Sequence, residues 1–112
     1  IYEIRDYHYR RDIFDDYVTW AELAVVVLKA KLDLVGFWVD EGEFTPEVAG
    51  SDPQTSPIGS ANVTWIIRWE SMDQRNETMK TAFSGDEWDA VMAKHPDPDG
   101  YLQLASRFMK EV

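Results

Sequence analysis

No cysteine occurs in the 112 residues, so no disulfide, thiolate nucleophile or thiolate metal site holds or works this chain. That absence suits a reducing compartment, and a cytoplasmic setting is the expectation drawn from it. Positive charge is also scarce: 11 Lys and Arg stand against 21 Asp and Glu, a formal charge of −10. Such a field repels phosphate backbones and anionic lipid surfaces, which argues against nucleic acid and membrane partners. No apolar run approaches the roughly 20 residues that a bilayer span requires. His8 and His95 are the only histidines and lie far apart, with no ligand spacing on a helix, so neither a metal site nor a cofactor is expected. A Gly-rich phosphate loop and a serine elbow are missing as well.

What is present is a chain that folds. Hydrophobic residues make up 45% and aromatics 13%, including five Trp, which excludes a disordered tail. The length predicts one domain over residues 1–112 with a single core. The organising stretch runs from Ala61 to Arg75. Its first half is β-branched and aromatic, with no Gly or Pro, and predicts a strand. In its second half Ser71 stands three residues before Gln74, which predicts a reciprocally capped helix start.

Around this stretch, residues 1–9 predict a first strand, with Tyr2, Ile4, Asp6 and His8 on one face and Glu3, Arg5, Tyr7 and Tyr9 on the other. Polar groups among aromatics on both faces imply that both are covered and that one looks into a polar cavity. Asp12 is the expected cap of a helix reaching about Lys31. Leu34 to Val39 predicts a strand with a bulge or close approach at Gly36. Residues 40–60, rich in Gly, Pro and acidic residues, predict a long loop, either a functional lid or a mobile insertion. A helix from Met72 to about Phe83 is ended by Gly85, and a short helix spans Asp86 to Lys94. Tyr101 to Met109 is the last strand, with Leu102, Leu104, Ser106 and Phe108 alternating against Gln103, Ala105 and Arg107. The order is β-α-β-β-α-β, an α+β ferredoxin-like arrangement with a four-stranded antiparallel sheet and helices on one face. A second copy packed sheet to sheet is the economical cover for the other face.

Three stretches resemble the NIPSNAP family of the dimeric α/β barrel superfamily. They are Ile1-Tyr2-Glu3-Ile4-Arg5-Asp6-Tyr7, similar to the family's Tyr-Glu-Leu-Arg-x-Tyr opening; Leu34-Val35-Gly36-Phe37-Trp38, similar to its Val-Gly-x-Trp strand; and Asn62 through Trp69-Glu70-Ser71-Met72-Asp73-Gln74-Arg75 to Gly85-Asp86-Glu87-Trp88. The closing Ser106-Arg107-Phe108 also fits. Arg10-Arg11 stands where family members commonly have Pro-Gly, and residues 40–60 replace a short hairpin. The resemblance implies a ferredoxin-like subunit in a homodimeric barrel, with Glu3, Arg5 and Tyr7 as family-typical positions. It implies no single reaction. Superfamily relatives include cofactor-independent monooxygenases, polyketide cyclases, lactone isomerases and haem-binding enzymes, an analogy at the level of fold.

The chemistry-bearing residues cluster on and around the first strand. Asp6 and His8, two apart on one face, form the leading acid–base pair, with His8 as general base and Asp6 orienting it. The plainer alternative leaves His8 near solvent, bonded to Asp6 or Asp12. Arg5, with Glu3 or Arg107, either binds an anionic substrate group through its planar fork or belongs to a structural ion-pair network in a dimer interface. Tyr17 or Arg5 would stabilise a developing enolate. Trp38, Trp65 and Tyr17 are candidate pocket walls; Tyr2, Arg5, Tyr7, Trp38, Trp65 and Arg107 are the candidate ligand contacts, and Trp88 is assigned to the core. His95, before Pro96, reads more simply as a helix-end cap than as a haem ligand. The expected function is binding of a hydrophobic, aromatic small molecule beneath the long loop, with cofactor-independent cyclisation, isomerisation or oxygenation if catalytic. The alternative is a noncatalytic protein-interaction module.

Overall fold

The computed structural model describes residues 1–112. Its elements are β1 (Tyr2–Tyr9), α1 (Phe14–Lys31), β2 (Leu34–Val39), β3 (Val63–Arg68), α2 (Met72–Met79), α3 (Asp86–Met92) and β4 (Tyr101–Met109). The four strands form one sheet in the order β2-β3-β1-β4, and every neighbouring pair is antiparallel. This is the α+β ferredoxin-like arrangement expected from the element order, with its second helical segment divided into α2 and α3.

The cap on α2 forms as its sequence predicts. Gln74 N–H donates to Ser71 Oγ (3.1 Å), while the Gln74 amide oxygen accepts from Glu70 N–H (2.6 Å). Two other expected boundaries differ. Asp12 does not cap α1: a turn of 3₁₀-helix over Arg11–Ile13 precedes it, and the Asp12 carboxylate accepts instead from Arg10 Nε at 2.7 Å. The helix expected to reach Phe83 stops at Met79, where the backbone tightens into three-residue bonds, Lys80 N–H to the Glu77 carbonyl (3.3 Å) and Thr81 N–H to that of Thr78 (3.2 Å); Lys31 Nζ donates to the Ala82 and Ser84 carbonyls beyond it. Gly85 is then the residue that precedes α3, at φ +97°, a conformation that suits glycine.

All helices lie over one face of the sheet. Tyr7, Tyr9, Val63, Trp65 and Ile67 from the strands meet Phe14, Tyr17, Trp20, Ala24 and Leu28 from α1 in a single core. Gly100 admits the Tyr9 ring, whose atoms lie 2.7 Å from where a Cβ would stand. The opposite face carries Tyr2, Ile4, Asp6 and His8 of β1, with Thr64, Ile66 and Arg107 of the flanking strands. No element covers it. The molecule measures 45 × 37 × 20 Å, and its 15.2 Å radius of gyration exceeds the about 13 Å of a compact chain near this length. One sheet under one helical layer, with residues 40–60 extending as a loop, accounts for the flatness. No helix is long and apolar enough to cross a membrane.

Two irregularities reposition side chains. The register of β2 shifts between Leu34 and Gly36, as the glycine signals, and the Trp38 ring lies across Gly36. On β4, His8 pairs with Gln103 but Tyr9 pairs with Tyr101, so Leu102 is an extra residue. That bulge moves Tyr101 from the face assigned by strict alternation to the helix side.

Candidate functional site

A cavity of about 260 Å³ lies between the sheet and helices α1 and α3. Twelve of its thirteen lining residues are hydrophobic; Arg5 is the exception. Tyr7 and Trp65 form its sheet wall, Tyr17, Trp20 and Leu28 its helical wall, and Phe83 and Leu104 stand at a partly exposed rim.

Arg5 is held in place from β1 itself. Its Nη1 donates to Glu3 Oε2 (2.7 Å) and its Nε to the Tyr7 hydroxyl (2.8 Å), residues on either side of it along the same face. The guanidinium carbon lies 5.1 Å from the Trp65 ring centre and 5.9 Å from that of Phe83. Glu3 is fully buried and also accepts from Arg75 Nε (3.0 Å), Arg75 Nη2 (3.2 Å) and Trp69 Nε1 (3.0 Å). Burial acts to raise its pKa, but the bonds and charge of Arg75 and Arg5, with the Trp69 bond, outweigh burial and hold the carboxylate below its ordinary range.

Tyr17 and Tyr101 bring two further hydroxyls to the cavity. Burial raises the pKa values of Tyr7, Tyr17 and Tyr101, so all three are protonated at neutral pH. Behind Tyr101, His95 Nδ1 accepts from Asp97 N–H (3.1 Å), and Nε2 lies 2.8 Å from the Tyr101 oxygen. Burial lowers the His95 pKa and favours the neutral ring. With Nδ1 accepting, Nε2 carries the proton and donates to Tyr101, which leaves the Tyr101 proton free to point toward Tyr17 or the cavity. Both His95 nitrogens are thus engaged, and neither is free to ligate iron. No group of three or more His, Asp or Glu side chains is placed to hold a metal ion.

The structure divides the predicted site residues between two faces. Arg5, Tyr7, Tyr17 and Trp65 converge on the cavity. Tyr2, Asp6, His8, Trp38 and Arg107 lie on the uncovered face. Asp6 does not orient His8. Its carboxylate accepts from Thr64 Oγ1 (2.6 Å) and lies 3.7 Å from Arg107 Nε. His8 Nε2 lies 3.0 Å from the Gly59 carbonyl oxygen, which requires a proton on Nε2, and Nδ1 is shielded from solvent with no partner. The nitrogen that would take up a proton is therefore out of reach of a substrate. Trp88 belongs to the core and also borders the cavity. The sequence reading did not single out Tyr101 for the cavity, since only the Leu102 bulge turns it inward.

The cavity presents donors and no acceptor strong enough to remove a proton. It is built to hold, or to stabilise charge on, a ligand oxygen.

No family sequence model matches the chain, and no curated protein matches it in sequence. Solved structures do match. The chain is similar to a NIPSNAP family protein of unknown function from Agrobacterium tumefaciens (TM-score 0.68, 23% identity, 98% of this chain and 86% of that one). A second NIPSNAP family protein from the same organism matches with TM-score 0.69 and 17% identity over 99% and 84% of the two chains. An uncharacterised NIPSNAP-like domain protein from Burkholderia xenovorans gives 0.68 and 15% over 99% and 84%. The fold is the one these NIPSNAP proteins share.

Proposed function

We propose that this chain is a NIPSNAP-type, small-molecule-binding protein of the dimeric α/β-barrel kind, taking a hydrophobic aromatic ligand that bears an acceptor oxygen. The observation that carries the reading is the aromatic-walled cavity of about 260 Å³ whose one charged side chain, Arg5, offers donors to a ligand oxygen. At about 260 Å³ the cavity lies just below the usual range for ligand pockets, about 300–1,000 Å³, which suits a small ligand.

If the protein is catalytic, the geometry favours stabilisation of an enolate or phenolate oxygen by Arg5 and Tyr17 over proton abstraction by His8. Cofactor-independent isomerisation or cyclisation fits such donors. The uncovered sheet face, with Trp38 about half exposed (51%), supports a homodimer. The lack of cysteine fits a cytoplasmic setting.

The test is titration with methyl 2-naphthoate, a neutral aromatic ester, read by fluorescence of the cavity tryptophans. Saturable binding of one molecule per chain is expected, and Ala24→Leu, which fills the cavity from α1, should weaken it at least tenfold. No saturable binding of this ester or of the matching acid, or binding untouched by Ala24→Leu, would remove the reading. One feature favours the interaction-module alternative: Phe44 and Val48 of the long loop are 77% and 56% exposed. Deletion of residues 43–57 that leaves ester binding intact but abolishes capture of a partner would support it.

A further inference from the structure

We infer that the ligand of this cavity is an anion: an aromatic frame of one or two rings carrying a single oxyanion, an aryl carboxylate or an acidic phenol, set against Arg5, Tyr7 and Trp65. The inference rests on the binding reading above and specifies its ligand class.

Charge balance is the first observation. One buried carboxylate, Glu3, is paired with two guanidiniums, Arg5 and Arg75, and no other carboxylate forms an ion pair with either. The cluster therefore carries one positive charge in excess. Arg75 places its share toward α2, on Asn76 Oδ1 and over the Phe108 ring, whereas Arg5 lines the cavity. Glu3, shared with Arg75, balances the Arg5 charge only in part, and a partly balanced charge at an apolar wall favours an anion there.

Hydrogen-bond accounting is the second, independent observation. The Tyr7 oxygen already accepts from Arg5 Nε, so its own proton is left to donate elsewhere, and Arg5 Nη2 has no partner in the protein. A neutral carbonyl accepts from these donors but leaves the charge of Arg5 unmet. A carboxylate or phenolate, an acceptor with several lone pairs and a full charge, accepts from both and balances Arg5 as well.

Size sets the frame. Cavities of about 150 Å³ lined by apolar side chains take up benzene. At about 260 Å³, this one has room for one or two fused rings. The aromatic walls offer edge and face contacts to a planar system.

The experiment compares 2-naphthoate with methyl 2-naphthoate on the full chain at pH 7, by tryptophan fluorescence and calorimetry. The acid should bind at least tenfold more tightly than the ester, against the overall repulsion of a protein with formal charge −10. Arg5→Gln should bring the ratio close to one. Tyr7→Phe keeps the ring and every ion pair, so it keeps the test available if Arg5→Gln does not fold; it should weaken the acid about fivefold and the ester less. Tyr101→Phe, at the far end, should preserve the ratio. Equal affinities, or preference for the ester, overturn the anion inference while sparing the cavity reading. Failure of both compounds to bind overturns both.

Discussion

Replacing Glu3 by Gln keeps the shape of the side chain but leaves the Arg5 and Arg75 guanidiniums converging on a neutral amide. Removing one partner of a buried, hydrogen-bonded ion network costs about 3–5 kcal/mol, so Glu3→Gln should lower unfolding free energy by ~3 kcal/mol in urea titrations. Gly100→Ala tests packing in the same way. The added methyl meets the ring of Tyr9, which is 1% exposed and cannot move aside, and overpacking of this kind costs about 1–3 kcal/mol. His95 supplies the pH dependence. Its pKa is lowered by burial, so the folded state binds this proton less readily than the unfolded state. Its contribution is therefore complete above the unfolded value of about 6.5 and is lost as pH falls through the folded value. Glu3 and Asp97, also lowered, lose theirs only in the more acidic carboxylate range. Urea midpoints should decline between pH 7 and pH 5.5, and His95→Asn should flatten that segment of the curve.

Among the elements, the start of α2 was the most legible in the sequence, because Ser71 and Gln74 act on backbone groups three and four residues away and need nothing from the rest of the fold. Ser71→Ala should cost ~1 kcal/mol, measurable as a shift in urea midpoint with no change in slope. The strands were legible from composition, and Gly36 announced its register shift. Alternation along β1 correctly grouped Glu3 with Arg5 and Tyr7, and Asp6 with His8. It could not say which group faces the helices, since each mixes aromatic and charged residues. The acid–base assignment to His8 and Asp6 consequently fell on the face away from the cavity. Tyr101 was hidden for a different reason: an extra residue on β4 reverses the alternation, and nothing in Leu102 itself reports that it bulges. The end of α2 was not legible, because the segment after Met79 turns through three-residue bonds and meets Lys31 at Ala82 and Ser84, a tertiary contact that helix propensity does not encode.

For the whole molecule, the uncovered sheet face is what supports the assembly proposed above. Val35 and Met109 are 52% and 47% exposed and lie beside Ile4 and Ile66 there. Light scattering should give twice the 13.0 kDa chain mass, and Ile66→Arg, at the middle of that face, should yield a folded monomer. A dimer unaffected by Ile66→Arg would place the contact elsewhere. The paired arginines on Glu3 have a further consequence, in the kinetics of encounter. An anion approaching this protein first meets the repulsive field of an acidic surface, and feels Arg5 only once it is at the rim. Salt shortens the reach of that outer field, with a Debye length of about 10 Å at 0.1 M, but screens the buried guanidinium far less. The capture rate of an aromatic acid should therefore rise with ionic strength while its escape rate changes little, the reverse of the salt response of a basic protein that draws anions in from a distance.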